Sequence, residues 1–335
     1  MKVRTTIVLA LVAGLAASAG ASAQTEPAKP APTTAELILQ HKAKAKAVGA
    51  GIFDGTVARL CSVADNAVPR VRSAVPASTP PRETWYAQPY KVFDNLYWVG
   101  TKIHSSWALT TSDGIILIDT LYNYAAEAEI VDGLKALGLN PADVKYVIIS
   151  HGHGDHDEGA RLLQERYGAK VVMGAEDWDL VAKQTAMAGG QPKRDLVAQD
   201  GEKITLGDTT VTTILTPGHT PGTVSAIFQV KDHGRPVTVA YSGGTAFVFP
   251  PAAATFDLYV ASQKKLAKAA ADAGATVLLS NHAQFDNAYD LARIAQLPRK
   301  AGEPNPFEIG AGAVADYFVV SSECAEAAKL EMSSR

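Results

Sequence analysis

The sequence predicts an α/β protein in which helices cover β-strands, and three observations lead to this prediction. Stretches rich in β-branched and aromatic residues alternate with stretches of helical spacing along most of the chain. The alternation follows no internal repeat of fixed length. The 335 residues, of which 47% are hydrophobic, suffice for one large core and are too apolar for a disordered chain.

The predicted elements follow each other in a regular order from residue 92 onward. The expected strands are residues 92–100, 106–120, 144–150, 169–174, 209–218, 223–230, 236–244 and 276–282. The expected helices are residues 125–137, 157–167, 175–186 and 255–273. This order is typical of a sheet protein whose strands are covered by helices.

The first residues have the features of a secretory signal peptide, which we place at residues 1–23. Lys2 and Arg4 precede an apolar run over 7–19, and Ala21-Ser22-Ala23 is a small-residue cleavage signature. A membrane anchor is the alternative, but the apolar run is shorter than the ~20 residues that span a bilayer. We therefore expect a periplasmic or secreted protein without stable membrane association.

Residues 24–84 are predicted to form a partly helical N-terminal arm. A Pro- and Ala-rich leader occupies 24–33, a helical pattern begins at Thr34, and the composition break at 76–81 precedes the main domain, which we place at 85–335 with a C-terminal tail. The sequence leaves three possible roles for the arm: packing on the domain, covering part of a cleft, or mediating association. Packing is the simplest of these.

The chain contains two cysteines, Cys61 and Cys324, near opposite ends of the predicted mature chain. In an oxidising compartment such a pair can form a disulfide between the arm and the C-terminal tail. Two isolated buried thiols are the alternative. Neither cysteine lies near the histidine-rich segment, so we do not expect them to bind metal.

The charge pattern argues against nucleic acid as a partner. The net charge is −3, and no stretch is rich in lysine and arginine. A nucleic-acid site requires a basic surface that displaces counterions from phosphates. A small-molecule substrate is the more natural expectation; the sequence does not predict an oligomeric state.

The segment SHGHGDHDEG at 150–159 is the strongest functional signal. It supplies His151, His153, Asp155 and His156 at the expected turn between a buried strand and a helix, where loops often carry chemistry. The glycines between these residues remove side-chain bulk and permit the turn.

Imidazole and carboxylate groups are donors that Zn²⁺ prefers. Four donors within six residues do not easily converge on one ion, so they suit two neighbouring ions. Two more histidines stand at predicted strand ends, His219 in LTPGHTPG and His282 in LLSNHAQFD. Ordinary polar contacts usually explain a single histidine, but they do not explain six donors that all follow apolar strands. His41, His104 and His233 lack this context.

These motifs resemble the metallo-β-lactamase superfamily. HGHGDH, then TPGHTPG, then a histidine after an apolar strand have the order and spacing most similar to its subclass B3 β-lactamases, over about residues 85–300. The resemblance implies an αββα sandwich, in which two sheets pack face to face with helices outside and metals lie in a groove at one edge.

The resemblance also implies roles for individual residues. It assigns His151, His153 and His219 to one zinc ion, and Asp155, His156 and His282 to a second. A hydroxide between the two ions would attack the substrate, oriented by Asp155. Asp119, after the apolar stretch IILID, would support the site from behind the ligands.

The predicted strand 236–244 distinguishes between subclasses. Many superfamily thioesterases and lactonases carry a metal-bridging aspartate at its end, and B1 and B2 lactamases carry a cysteine, whereas this strand has neither. B3 enzymes commonly have an Asp-Ser or similar stretch here. This chain has Ser242-Gly243-Gly244-Thr245 instead, so Ser242 and Thr245 are candidates for holding the substrate carboxylate.

Other residues near the predicted ligands are weaker candidates. Tyr241, Asn281 and Gln284 flank ligands. His104 and Trp107 are candidates for the cleft wall, although Trp107 fits a core position equally well and His104 fits a solvated loop.

The resemblance thus predicts a zinc hydrolase that opens the β-lactam ring amide. The alternative is a hydrolase of the same fold that acts on another ester, lactone or amide. A non-catalytic metal sensor is disfavoured because no ligand is missing, and a nuclease because neither a basic surface nor an extra domain is evident.

Overall fold

A computed structural model of the chain describes residues 31–62, 79–247 and 252–334. Thr34–Arg335 form one compact unit. The predicted signal peptide at 1–23 and part of the irregular segment of the arm lie outside the described residues, and the boundary at residue 84 stays a prediction. In the described ranges, no helix combines the length and the apolarity needed to cross a lipid bilayer.

In the described ranges, the first sheet contains seven strands that lie in chain order. They are β1 (Tyr90–Lys91), β2 (Leu96–Trp98), β3 (Trp107–Thr111), β4 (Gly114–Ile118), β5 (Val144–Ile148), β6 (Lys170–Met173) and β7 (Leu196–Val197). Strands β1 to β4 pair antiparallel, and β4 to β7 pair parallel. The parallel connections need crossovers, which the helices between these strands provide.

The second sheet contains five strands in the order β12-β11-β10-β9-β8. They are β8 (Lys203–Leu206), β9 (Thr209–Leu215), β10 (Val224–Asp232), β11 (Arg235–Ser242) and β12 (Val277–Ser280). Of the strands described in this sheet, β11 and β12 alone pair parallel, with Ser242 opposite Ser280. Their carboxyl ends therefore lie side by side at one edge of the sheet.

The helices lie between and after the strands. They are α1 (Thr34–Gly49), α2 (Asp54–Leu60), α3 (Arg82–Trp85), α4 (Asn123–Ala126), α5 (Asp132–Ala136), α6 (Gly154–Asp157), α7 (Ala160–Tyr167), α8 (Ala175–Val181), α9 (Ala253–Asp272), α10 (Ala283–Asp286), α11 (Ala288–Ile294) and α12 (Ala311–Ser333). The helix predicted at 125–137 is interrupted by a π-helical segment, Glu127–Val131. The helix predicted at 157–167 is divided into α6 and α7.

The two sheets pack face to face. One apolar cluster contains Trp98, Trp107 and Ile116 from the first sheet together with Phe228 and Val239 from the second. A second cluster joins the first sheet to the helices from α4 to α8, and a third joins the second sheet to α9 and α12. The predicted αββα sandwich is confirmed. Trp107 is a core residue and not part of a cleft wall.

The C-terminal region differs from the predicted tail. It forms α12, a helix of 23 residues whose apolar side chains, such as Tyr317 and Phe318, are buried. Helix α1 of the arm packs along α12. His41 and Lys44 of α1 also pair with Glu323 of α12. In its described part, the arm therefore packs on the domain.

A disulfide joins Cys61 to Cys324. It links the residue after α2 to the middle of α12, so it fixes the arm to the C-terminal helix. This confirms the bridge, which the sequence left open against two isolated thiols.

Candidate metal centre

Donor side chains from both sheets meet at one edge of the sandwich. His151, His153, Asp155 and His156 follow β5, in the turn that leads into α6 and its first residues. His219 lies in the loop between β9 and β10, and His282 follows β12. All six predicted ligands are thus brought together, because each stands just beyond a strand end at this edge.

The first group of donors consists of His151, His153 and His219. One ring nitrogen from each lies within 4.8 Å of the others. Nδ1 of His153 is 3.1 Å from Nε2 of His219. Backbone carbonyls orient two of the rings: Nδ1 of His151 donates to the oxygen of Gly243 at 2.9 Å, and Nδ1 of His219 donates to the oxygen of Ala246 at 2.8 Å.

Nε2 of His151 provides a direct test of whether a cation fits the first group. This nitrogen is buried and has no hydrogen-bond partner among the described residues. Buried polar atoms in proteins are nearly always paired. Since Nδ1 is committed to the Gly243 carbonyl, the lone pair of Nε2 is free, and His151 lies within reach of a cation shared with His153 and His219 or with Asp155 and His156.

The second group surrounds the carboxylate of Asp155. Its Oδ2 lies 3.2 Å from Nε2 of His156 and 3.6 Å from Nε2 of His282. The two Nε2 atoms are 3.3 Å apart. A third imidazole, that of His104, places Nε2 3.5 Å from the same oxygen. This group contains a carboxylate, whereas the first group consists of imidazoles alone.

The site environment favours neutral imidazoles in the first group. Burial lowers the pKa of His151 well below its ordinary value, and the neighbouring histidines lower it further. Burial also lowers the pKa of His219 to about 4. An imidazole binds metal only in its neutral form, so these two rings are ready to coordinate.

The second group contains opposite charges. Burial alone would raise the pKa of Asp155, but the His156, His104 and His282 imidazoles outweigh it and hold that pKa well below its usual range. Burial alone would lower the pKa of His156, but Asp155 and Asp119 raise it to about 10. A cation bound here therefore displaces a proton from His156.

Asp119 supports the site from behind the ligands, as the resemblance implied. Its Oδ2 accepts hydrogen bonds from Ser150 Oγ at 2.8 Å and from Tyr241 Oη at 2.7 Å, and it lies 3.1 Å from Nδ1 of His156. Its Oδ1 accepts from the Ser150 backbone at 2.7 Å. Asp119 has a φ of 63°, which non-glycine residues rarely adopt. The hydrogen bonds fix this uncommon backbone conformation.

Three of the site residues predicted beside the metal ligands are buried in supporting positions. Tyr241, Ser242 and Thr245 each expose about 1% of their surface. Tyr241 donates to Asp119, and Thr245 donates to Oδ1 of Asn281 at 3.2 Å. Ser242 accepts from Tyr317 of α12 at 3.3 Å. Ser242 and Thr245 therefore lie inside the protein in this arrangement.

The remaining weaker candidates have different positions. Asn281 is buried and donates to the Gly243 carbonyl at 2.8 Å, so it helps to orient His151. Gln284 is half-buried at the start of α10. His41 and His233 belong to neither donor group in the described ranges.

The sequence analysis did not identify Asp177, whose carboxylate holds together the loop that carries His151 and the loop that carries His219. Its Oδ2 accepts from the Gly152 backbone at 2.8 Å and from Thr220 Oγ1 at 2.6 Å, and its Oδ1 accepts from the Gly222 backbone at 2.9 Å. A Cβ at Gly222 would lie 2.6 Å from the Asp177 nitrogen, so only glycine fits this approach. Asp177 lies in the predicted helix 175–186 without any local motif that marks it.

Sequence reasoning also gave His104 no role as a donor. The structure places it in the second group, beside Asp155 and His282. The segment KIHSSW has no metal-ligand spacing, so only the folded arrangement shows the proximity.

Comparisons with known proteins agree with this geometry. Residues 99–233 match the metallo-beta-lactamase superfamily domain. The subclass B3 metallo-beta-lactamase BJP-1 of Bradyrhizobium japonicum has a similar structure, with 31% identity, a TM-score of 0.57, and coverage of 69% of this chain and 89% of that chain. The FEZ-1 metallo-beta-lactamase of Legionella gormanii has 27% identity, a TM-score of 0.60, and coverage of 69% and 91%.

Similar sequences include other hydrolases. A hydroxyacylglutathione hydrolase of Acidiphilium cryptum is 30% identical over 218 residues, which cover 62% of this chain and 83% of that protein. The N-acyl homoserine lactonase AttM of Agrobacterium fabrum is 35% identical over 113 residues, or 30% of this chain. The match spans 42% of the lactonase, which is less than half of its length.

Proposed function

The chain belongs to the metallo-beta-lactamase superfamily, and we propose that within this superfamily of hydrolases it is a di-zinc enzyme that opens the β-lactam ring amide. The observation that carries the proposal is the donor set. The five histidines and one aspartate that the resemblance names lie in two adjoining groups, and the end of β11 adds no carboxylate to them. The resemblance to subclass B3 enzymes implies this set.

The backbone at the end of β11 also supports a β-lactamase over a lactonase or thioesterase. A Cβ at Gly243 would lie 1.9 Å from the Val224 carbonyl oxygen, so no side chain fits at this position. A Cβ at Gly244 would lie 2.9 Å from Cβ of His219. The aspartate that bridges the metals in many lactonases and thioesterases of the superfamily therefore has no equivalent at these two positions.

The donor chemistry fits zinc at both groups. Zn²⁺ in such a site lowers the pKa of a bound water towards ~7 and polarises the carbonyl under attack. Asp155 remains ionised at neutral pH because the surrounding imidazoles stabilise its charge, so its carboxylate can accept a hydrogen bond from the attacking water and orient it. Asp119 holds His156 in place through the contact with Nδ1.

A second candidate function is hydrolysis of a lactone or thioester. The sequences of the lactonase and of the hydroxyacylglutathione hydrolase favour it. The buried positions of Ser242 and Thr245 favour it as well, because they leave the substrate carboxylate of a β-lactam without these two hydroxyls as partners.

We also propose that the protein is exported, with its leader removed after Ala23. The proposal rests on the cationic start, the apolar run and the cleavage signature. Sequencing the N-terminus of the protein purified from an exporting host tests it, and a mature chain that retains Met1 would contradict it.

The activity test uses the purified, zinc-loaded protein with a penicillin, a cephalosporin, a carbapenem, an acyl-homoserine lactone and a glutathione thioester. We expect turnover of at least one β-lactam, abolished by a chelator and restored by zinc. Turnover of the lactone or thioester with all β-lactams intact would overturn the first candidate in favour of the second. A His153→Ala variant is the matched control that removes a donor.

A further inference from the structure

We propose that His104 is a metal ligand, which gives the second ion four protein donors: His104, Asp155, His156 and His282. The inference rests on the proposed presence of two ions and extends the ligand set by a residue from a different part of the chain. His104 stands between β2 and β3 of the first sheet, 51 positions before Asp155.

The backbone places His104 directly beside His282. The two residues form an isolated antiparallel bridge. Ser105 donates its N–H to the carbonyl of Asn281 at 2.9 Å, and Ala283 donates to the carbonyl of Ile103 at 2.8 Å. These two bonds flank the pair, so the position of His104 relative to His282 is fixed by the main chain.

The turn that carries His104 is closed by Thr101. The N–H of His104 donates to Thr101 Oγ1 at 2.9 Å, and the Thr101 N–H donates to the carbonyl of His104 at 2.8 Å. The Tyr122 ring packs edge-on against the imidazole with a centroid distance of 5.2 Å. The turn and the ring therefore hold this imidazole in one orientation.

The distances from the Asp155 oxygen to the three imidazoles match those between neighbouring ligands of a single ion. Two ligands that each lie 2.0–2.1 Å from a tetrahedral zinc are roughly 3.3–3.4 Å apart. Oδ2 of Asp155 lies 3.5 Å from His104, 3.2 Å from His156 and 3.6 Å from His282. Three imidazole nitrogens thus surround one carboxylate oxygen at the spacing of neighbouring ligands.

An ion pair between His104 and Asp155 explains the arrangement less well. Charge-assisted N–H···O bonds are typically about 2.7–2.9 Å long, and the distance here is 3.5 Å. A direct ion pair also leaves unexplained why His282 lies at a nearly equal distance from the same oxygen. A shared cation accounts for both distances.

The extra ligand makes the two metal positions unequal. Catalytic zinc sites keep an open position beside three protein ligands, whereas sites with four protein ligands are closed. The first group supplies three donors in the described residues, so the first ion would keep one more position for water or substrate than the second. The second ion is then held more completely by protein.

The test measures metal binding without substrate. The purified chain is stripped of metal and titrated with Zn²⁺ against a chromophoric chelator, and separately with Co²⁺ to follow its visible absorption. We expect two ions in the original protein. In His104→Ala and His104→Phe, we expect the first ion to bind as before and the second at least tenfold more weakly, with a changed Co²⁺ spectrum for the second equivalent.

His233→Asn is the matched control, because it removes an exposed histidine from a position whose φ of 51° asparagine tolerates. Circular dichroism checks that each variant is folded. Unchanged affinity for both ions in the folded His104 variants would overturn the inference, and so would uptake of a single ion by the original protein. Two ions with weakened second binding, but without β-lactam turnover, would support the inference and refute the proposed substrate.

Discussion

The two donor groups of the metal centre are built differently, although they share one edge of the sandwich. The first group is made of imidazoles, and backbone carbonyls of Gly243 and Ala246 orient two of them. The second group is built around a carboxylate, and a further carboxylate, Asp119, stands behind His156. The comparison indicates that the first position depends on main-chain geometry, whereas the second depends on charge.

Removing one donor from each group should give the largest effects. We expect His219→Ala to lose the first ion and Asp155→Asn to lose the second, each with a fall in kcat/KM of roughly 10³-fold or more. Metal analysis by mass spectrometry and hydrolysis rates check this. If either variant loses both ions, the two groups do not bind independently and the comparison fails.

Asp119→Asn should produce an intermediate effect confined to the second group. The amide offers one acceptor oxygen where the carboxylate offers two, so Ser150, Tyr241 and His156 lose part of their support. Loss of such an outer partner typically costs about 10–100-fold in metal affinity or activity. The measurement is competitive zinc titration.

Tyr241→Phe is the control for Asp119, because it removes one donor and leaves the carboxylate in place. We expect a smaller change than in Asp119→Asn. Weakening of the first ion in preference to the second would contradict the assignment of Asp119 to the second group.

Asp177→Asn should affect the loops of the first group more than those of the second. Its carboxylate fixes Gly152, between His151 and His153, and Thr220, beside His219. Leaving a buried hydrogen-bonding group without its partner costs about 1–3 kcal/mol of stability. Chemical denaturation measures that loss. Zinc titration should show weaker binding of the first ion, and an unchanged affinity for that ion would contradict the role of Asp177 in holding the two loops.

The double variant Cys61→Ser, Cys324→Ser should leave both metal positions nearly unchanged. Neither cysteine belongs to a donor group, but the bridge closes a separation of 263 residues. Removal of a native disulfide typically costs about 2–5 kcal/mol of unfolding free energy. Denaturation with and without reductant checks this, and the original protein in reductant should match the variant. A loss of metal in the folded variant would show that the helical layer also shapes the site.

The sequence was informative about the six predicted donors because each follows an apolar strand within a short motif. Strand ends at one edge of a sandwich converge, so local patterns sufficed for His151, His219 and His282. Asp177 and His104 escaped prediction because their partners lie far away in the chain. Asp177 joins Gly152 to Gly222, and His104 meets Asp155 and His282.

The fold shows the same division between local and distant information. The alternation of strands and helices predicted the layers correctly. Most core strands lie close to their expected positions, but the single strand predicted at 106–120 is the antiparallel pair β3 and β4. Helix α12 was missed, since a stretch that is apolar on most sides has no helical stripe to detect. Its buried side chains pack against α1 and α9, which lie far from it in sequence.

The packing of α1 on α12 also bears on the order of assembly. The earliest described helix has its main partner in the last one, so no growing N-terminal fragment contains the surface on which α1 rests. The β-sandwich can form before this helix pair, whereas α1 must wait until α12 has been synthesised. A stalled or truncated chain that stops before residue 311 would leave the arm undocked and Cys61 without its sulfur partner.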